Sequence, residues 1–140
     1  MKITQIRTLC LSRPHEPEHQ WRTATFLVPK ADAAVVVIDT DRGVQGIGEA
    51  CAYWDPPRIR AEVERLTPGL LGRDPREPNL APRPVGLNAP VDTAVAGLDA
   101  ALWDLRGRLA KRPVAELLAA PGQQPLRRVR LYASGGVDYD

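Results

Sequence analysis

A repeating pattern of apolar side chains in residues 91–109 predicts a long amphipathic α-helix. Apolar residues recur there at alternating intervals of four and three: Val91, Val95, Leu98, Leu102, Leu105 and Leu109. This spacing places all six on one face of a helix, and such a face needs a partner. Small residues surround Leu98, so another backbone could approach the helix closely at that point.

Alternating residues upstream predict a small antiparallel sheet. Residues 2–12 alternate between apolar and polar side chains, which favours a strand. Residues 33–49 contain a β-branched run, a turn at 39–43 and a second alternating run, which together predict a β-hairpin. We therefore expect a three-stranded antiparallel meander with helices on one face. Prolines and charge predict an exposed loop over 12–24, and residues 50–57 form a second loop.

Prolines mark the ends of the elements between the sheet and the long helix. Pro57 occupies a typical first helical position, and the helix that follows is expected to end before Pro68. Five prolines in residues 73–90 predict an irregular linker. Asn88, near the end of that linker, is a candidate cap for the long helix.

The C-terminal residues predict a short helix and then a strand. The long helix is expected to break at Arg112-Pro113, and the short helix that begins at Pro113 is expected to close at Gly122. Alternation over 127–136 then predicts a strand that runs into a turn. The predicted fold class is therefore α+β.

Composition and charge narrow the function classes. The 140 residues are 44% hydrophobic and 26% charged, which is typical of one globular domain. The net charge of +2 is spread along the chain, which argues against nucleic-acid binding. Cys10 and Cys51 are too few for a disulfide framework and are interpreted as buried thiols in a reducing compartment. No apolar run reaches the length of a signal peptide or a membrane span, so we expect a cytoplasmic protein without a membrane partner.

Two motifs that could carry chemistry lack the context that they need. His15 and His19 have a metal-ligand spacing, but Pro17 prevents the helix that would bring both rings to one face. A solvated loop is therefore the favoured interpretation. The Gly-Ile-Gly of residues 46–48 lacks the third glycine of a dinucleotide-binding turn, and hairpin or bulge glycines explain it better.

Acidic and aromatic residues supply weaker candidates. Glu49 and Asp55 lie near the two loops, but a solvated or capping role is favoured because no base or metal cluster accompanies them. Asp99 and Asp104 point about 140° apart on the long helix, so they cannot share a metal ion. We expect them to cap, to form ion pairs or to hold neighbouring loops. Aromatic residues in the two loops are candidates for substrate contact, with packing as the alternative: Trp21, Tyr53 and Trp54.

Four segments of the chain carry a family pattern. They are VVVIDTDRGVQGIGEA (35–50), LTPGLLGRDP (66–75), GLDAALWDLRGRLAKRPVAELL (97–118) and VRLYASGG (129–136). Together they resemble the N-terminal capping region of the enolase superfamily, in its mandelate racemase and muconate lactonizing branch. The third segment is the most specific, because G-L-D-x-A-L-W-D followed by P-V-x-x-L-L is typical of that branch. Between Gly72 and Gly97 the chain is shorter and richer in proline than the family pattern, so one helix of the cap is expected to be missing or unwound.

The resemblance implies two parts of unequal size. Residues 1–125 would form a capping domain of a three-stranded meander and a helical bundle, and residues 126–140 would form the first strand of a (β/α)8 barrel. In such enzymes the loops matching residues 12–26 and 50–57 fold over the barrel mouth and select the substrate. The implied substrate-binding candidates are Trp21, Tyr53, Trp54 and Glu49.

The resemblance also implies a chemistry. In such enzymes barrel carboxylates hold Mg2+, which stabilises an enediolate while a base moves the proton alpha to a carboxylate. The branch contains racemases, cycloisomerases and sugar-acid dehydratases. The metal-binding and catalytic positions follow the first barrel strand, so none is expected in residues 1–140, and we predict that this chain is inactive by itself. The alternative is a binding or oligomerisation module in which the apolar stripe of residues 91–109 packs against a second copy.

Overall fold

The computed structural model describes residues 1–22, 24–50, 55–84, 86 and 90–133. Its described strands and α-helices are β1 Ile3–Pro14, β2 Trp21–Arg22, β3 Leu27–Val28, β4 Lys30–Thr40, β5 Gln45–Ala50, α1 Pro56–Leu66, α2 Pro90–Ala110 and α3 Val114–Leu118. The long strands β1, β4 and β5 form an antiparallel sheet with β4 in the centre, and β2 pairs with β3 in a separate short hairpin. The predicted α+β class and three-stranded meander are confirmed.

The sheet has a helix side and an outer side. Ile38 of β4 pairs with Ile6 of β1 and with Gly46 of β5, and side chains at these alternate positions face the helices. Along β4, Ala34, Val36 and Ile38 are completely buried on this side. The outer side carries three exposed apolar side chains, Leu9, Leu11 and Ile47.

Strand β1 is longer than the sequence pattern predicts. Ser12 still pairs with Asp32 of β4, and Pro14, the last residue of β1, pairs with Lys30. Proline is tolerated there because β1 is an edge strand and Pro14 stands at its end. The predicted loop also contains a 3-10 turn at Pro17–His19 and strand β2, whose partner β3 follows the predicted loop. The prolines therefore exclude an α-helix but not a tighter turn, whose first position suits proline.

Helix α1 begins one residue earlier than predicted. Pro56 is its first residue and Pro57 its second, and proline is accepted at both because the first turn has no intrahelical acceptor for its N–H groups. Ile59 and Val63 enter the core. The helix ends at Leu66, in front of the proline that was predicted to stop it.

The sheet is the partner of the apolar face of α2. Leu98, Leu102 and Leu105 are completely buried against it and against α1. The close backbone approach predicted near Leu98 is confirmed, because a Cβ atom built on Gly48 would lie 2.3 Å from the carbonyl oxygen of Gly97. The central residues of the apolar stripe are therefore covered within this chain. They are not exposed for contact with a second copy, so the structure does not support an oligomer formed through them.

The described C-terminal residues contain the predicted helix break but no strand. Helix α2 ends at Ala110, and α3 follows as a separate helix that ends at Leu118. Gly122 has a positive φ of 80° but lies in a later turn, so it does not close α3 as predicted. Residues 127–133 form no strand. Alternation is not enough for a strand, because its backbone groups need a neighbouring strand with which to bond.

The proline-rich linker has no α-helix among its described residues and is held by α2. Arg106 donates 2.8 Å hydrogen bonds to the carbonyl oxygens of Pro75 and Glu77, and its guanidinium stacks 5.0 Å from the centre of the Trp103 ring. Asn88, the predicted cap of α2, lies outside the described residues. Within the described ranges, no helix has the length and apolar character needed to cross a membrane.

Candidate functional site

Both predicted loops leave the sheet at the same end. β1 ends at Pro14, β4 begins at its partner Lys30, and β5 ends at Ala50 on the other side of β4. Residues 15–29 therefore start and finish at this end. Ala50, the last described residue before the second predicted loop, also lies there, and residues 51–54 of that loop lie outside the described residues. We call this end of the sheet, marked by Pro14, Lys30 and Ala50, the loop end. The opposite end of the β4–β5 hairpin is closed by a tight turn.

The predicted substrate-contact residues have different positions. Trp21 is half-buried in the hairpin that belongs to the loop end. Glu49 is exposed and pairs with Val35 on the outer side of the sheet, so it faces away from the helices. Tyr53 and Trp54 lie outside the described residues. The structure thus places Trp21 at the loop end and Glu49 on the outer side of the sheet.

A charged pair at the loop end escaped the sequence analysis. Lys30 and Asp32 occupy helix-side positions of β4 directly before the completely buried Ala34. Lys30 Nζ lies 2.8 Å from Asp32 Oδ2, and the Asp32 side chain is 14% exposed against 46% for Lys30. Continuing the alternation of β4 backwards from Val36 would have assigned both residues to the helix side.

The charges at the loop end stabilise one another. The hydrogen bond from Lys30 holds the pKa of Asp32 below its ordinary value. The same bond raises the pKa of Lys30, and the nearby negative charge of Asp55 adds to that rise. Asp55 is an exposed residue that directly precedes α1. Lys30 is therefore paired with the Asp32 carboxylate of the sheet and also feels the negative charge of Asp55.

His15 and His19 line a small pocket but form no metal centre with their neighbours. Arg13 and Glu16 share this pocket, whose volume is about 260 Å³. The backbone N–H of His15 donates to the carbonyl oxygen of Pro29 at 2.8 Å, which ties the turn to the start of β4. No group of three or more His, Cys, Asp or Glu side chains able to hold a metal occurs among the residues described by the structure. Those residues therefore do not fit a Mg2+ site.

Asp104 joins α2 to the edge of the sheet. Its Oδ2 atom accepts a 2.9 Å hydrogen bond from the backbone N–H of Ile47 and another of 2.9 Å from Arg108 Nε. The predicted ion pair is confirmed for Asp104, whereas the backbone group that it holds belongs to strand β5 and not to a loop. Asp99 lies on a different part of α2, where it lines a small pocket with Trp103.

Comparison with known proteins gives the class and then the family. Solved structures that resemble this fold belong to the enolase superfamily. The family model described as mandelate racemase / muconate lactonizing enzyme, N-terminal domain, matches residues 4–119. The chain belongs to the mandelate racemase / muconate lactonizing enzyme family.

Relatives in this family are much longer proteins. The chain is 31% identical to a cis-3-hydroxy-L-proline dehydratase of Roseibium aggregatum, with 93% of this chain and 37% of the relative covered. It is also 31% identical to a D-galactarolactone cycloisomerase of Agrobacterium fabrum, over 100% of this chain and 37% of the relative. A solved structure of a mandelate racemase/muconate lactonizing enzyme homologue from Roseovarius nubinhibens, complexed with magnesium, superposes with a TM-score of 0.66 at 27% sequence identity. The match covers 84% of this chain and 33% of the Roseovarius chain. The chain thus spans about a third of the length of the proteins it matches.

Proposed function

We propose that residues 1–125 are the capping domain of a Mg2+-dependent enzyme that abstracts the proton alpha to the carboxylate of a small organic acid. The observation that carries this proposal is the loop end. Residues 15–29 and the segment after Ala50 start from adjacent strands, so both can border one ligand. Loops held by a rigid scaffold commonly bind substrates. The related dehydratase and cycloisomerase support dehydration or cycloisomerisation, and the mandelate racemase named in the family model's description supports racemisation as a third possibility.

The chemical step is proposed to take place outside residues 1–140. The described residues lack a three-ligand group for Mg2+. In the complete enzyme, Mg2+ would supply positive charge that stabilises negative charge developing on the substrate. The residues of this chain would bind and orient the substrate and exclude water from the active site. The 140-residue chain is therefore expected to be inactive by itself.

Residues 126–140 are proposed to form the first strand of the barrel once its neighbour is present. The described part of this segment leaves four large apolar side chains between 66% and 89% exposed: Leu126, Val129, Leu131 and Tyr132. A barrel strand gains its hydrogen bonds from both neighbours and buries its apolar side chains. Both needs of this segment would be met there.

Trp21 is the best-supported substrate contact of the four candidates, because its half-buried ring belongs to the loop end. Tyr53 and Trp54 stay predictions from their place in the second loop. Glu49 also stays a prediction, and its position on the outer side would restrict it to the rim of a binding site.

The location of the protein is proposed to be cytoplasmic. Cys10 is a free thiol, which is typical of a reducing compartment. The thiol is half-buried and not fully buried as predicted, and Cys51 lies outside the described residues.

The test is proton exchange by the complete protein that contains residues 1–140. It would be incubated with Mg2+ in D2O with cis-3-hydroxy-L-proline, D-galactonate and D-galactarate, and exchange alpha to the carboxylate would be followed by NMR. We expect exchange with at least one acid. Trp21→Ala should raise KM by about tenfold, since loss of an aromatic contact costs roughly 1–2 kcal/mol. Leu118→Ala, an exposed residue of α3, is the control. No exchange with any acid would contradict the proposed function.

An oligomerisation module is a second candidate, and the outer side of the sheet favours it. Leu9, Leu11 and Ile47 are 45%, 54% and 46% exposed there. Contiguous exposed apolar surface commonly marks an interface. Sedimentation of the 140-residue chain should then show an assembly that Ile47→Lys dissociates. A monomer at every concentration would exclude this candidate.

A further inference from the structure

We propose that strand β1 pairs with β1 of a second copy of this chain, antiparallel about a two-fold axis at Leu9, so that two three-stranded sheets join into one six-stranded sheet. The pairing uses residues 5–13 and none of the loops or of residues 126–140, so it is independent of the proposed enzyme function. It also differs from face-to-face packing of the outer sides of two sheets, in which Ile47 would take part.

The outer edge of β1 is the first argument. β1 is an edge strand of 12 residues whose described neighbour in the sheet is β4. The His15 N–H donates to the Pro29 carbonyl oxygen directly after the last residue pair of the ladder, so the odd-numbered residues of β1 bond to β4. The backbone groups of the even-numbered residues therefore point away from β4. No described residue bonds the outward N–H groups of four of them: Ile6, Thr8, Cys10 and Ser12.

The two edges of the sheet differ in their protection. β5, the other edge strand, has only six residues, and its outward Ile47 N–H donates to Asp104 of α2. A long edge strand with unpaired backbone groups is a template for another strand. Within the part of the chain that the structure describes, β1 is therefore the edge that can accept a further strand.

The limits of the regular ladder determine where the axis lies. The register shifts between Ile3 and Gln5, which ends the regular pairing on one side. Pro14, which has no N–H, ends it on the other. The stretch between these limits, residues 5–13, is symmetric about Leu9. A two-fold axis at Leu9 therefore pairs the longest regular stretch of one copy with the same stretch of the other.

This register also uses the outward backbone groups completely. With the axis at Leu9, Ile6 lies opposite the partner's Ser12, and Thr8 lies opposite the partner's Cys10. Each of these pairs exchanges two hydrogen bonds, as the hydrogen-bonded pairs of an antiparallel ladder do. All four outward N–H groups of each copy then have an acceptor.

The side chains on the outer side agree with the same register. The exposed Leu9 lies opposite the partner's Leu9, with the exposed Leu11 of each copy beside this pair. Arg7 lies opposite the partner's Leu11. An axis at Cys10 would instead place Arg7 opposite the partner's Arg13, and like charges directly opposite destabilise a strand pair. The charges therefore favour the axis at Leu9.

Cysteine cross-linking tests the register. Directly opposite residues of a non-hydrogen-bonded antiparallel pair have Cα atoms about 4.5 Å apart, which a disulfide can span. Leu9→Cys, in a chain that also carries Cys10→Ser and Cys51→Ser, should therefore form a disulfide-linked dimer under mild oxidation. Leu11→Cys in the same background is the matched control, because the two copies of residue 11 would be offset by four residues, about 13 Å along the strand. A dimer that forms as readily with Leu11→Cys overturns the inference.

Sedimentation equilibrium of the 140-residue chain tests the pairing itself. The original chain should show a monomer–dimer equilibrium. Leu9→Lys should raise the dissociation constant at least about tenfold, because it removes an apolar contact and places two like charges opposite each other. Ile47→Lys is the matched control, since Ile47 is similarly exposed on the same side of the sheet but lies on the other edge strand. Its dissociation constant should be unchanged, and circular dichroism checks that both variants keep their fold.

Two results of the sedimentation experiment overturn the inference. One is a monomer at every concentration. The other is equal dissociation by Leu9→Lys and Ile47→Lys, which would mean that the outer sides pack face to face. Neither result affects the proposed enzyme function, which is tested separately by proton exchange in the complete protein.

Discussion

Single glycines set the distance between helix and sheet. A Cβ atom on Gly48 would lie 2.3 Å from the Gly97 carbonyl oxygen and 2.5 Å from the Ala101 nitrogen. A Cβ atom on Gly46 would lie 2.2 Å from the Ala101 carbonyl oxygen. These neighbours are backbone atoms of α2, which cannot rotate away as a side chain could. The helix can therefore keep its position only while these strand residues lack side chains.

Gly48→Ala should destabilise the domain by about 3 kcal/mol or prevent folding, because overpacking against backbone forces the helix to move. Urea unfolding followed by circular dichroism measures the change. Gly69→Ala is the matched control, since a Cβ atom there meets nothing within 4 Å and its φ is not positive. Equal stability of the two variants would contradict the close contact.

The Asp104 carboxylate accepts a hydrogen bond from a backbone N–H group of the edge strand β5. Asp104→Ala leaves the Ile47 N–H without its 2.9 Å partner and should cost about 1–2 kcal/mol. Glu62→Ala removes an ion pair with Arg65 of similar exposure but no hydrogen bond to a backbone N–H, and should cost at most about 0.5 kcal/mol. The comparison of the two urea midpoints is the measurement. A smaller loss for Asp104→Ala than for Glu62→Ala would count against its proposed holding role.

At the scale of elements, the sequence patterns correctly predicted the elements that have one periodically spaced buried face. The stripe of α2 and the alternation in β4 identified the long helix and the central strand, because each has one buried face. The patterns missed the end of β1 because Pro14 suggests a loop, whereas an edge strand accepts proline at its last residue. They also missed the Lys30–Asp32 pair, because charged side chains at a strand end are usually assigned to solvent. The absent strand at 127–133 depends on a neighbour that no local pattern can supply.

The outer side of the meander contains a pH-sensitive pair. The Arg7 guanidinium holds the pKa of Asp39 below its ordinary value. A carboxyl with a depressed folded-state pKa stabilises the fold above its unfolded pKa of about 3.9 and loses that effect as the pH falls through the folded-state pKa. The original protein should therefore exceed Asp39→Asn in stability by roughly 0.5–1 kcal/mol at pH 7, since Arg7 is partly exposed.

Urea midpoints of both proteins at pH 7, 4 and 2 measure this linkage. The difference should be largest at pH 7 and should decrease as the pH falls below about 3.9 and through the lowered folded-state pKa of Asp39. A difference that is constant over this range would show that the ion pair does not contribute.

At the scale of the whole molecule, the chain combines a covered core with an uncovered C-terminal segment. If residues 126–140 form a barrel strand in the complete protein, trypsin should cut at Arg127, Arg128 and Arg130 rapidly in the 140-residue chain and slowly in the complete protein. Cleavage at Arg42, in the exposed β4–β5 turn, should be similar in both and is the internal control. Equal cleavage at the three C-terminal arginines in both proteins would contradict the barrel-strand proposal.

The common origin of the two loops at one end of the sheet also affects how this domain can change its specificity. The described core residues all lie outside residues 15–29, so residues can be inserted between Pro14 and Lys30 without replacing Ile38, Val63 or Leu102. Each doubling of loop length costs only about 0.6 kcal/mol in closure entropy. New ligand contacts can therefore be acquired by changes in loop length while the rest of the domain keeps its sequence.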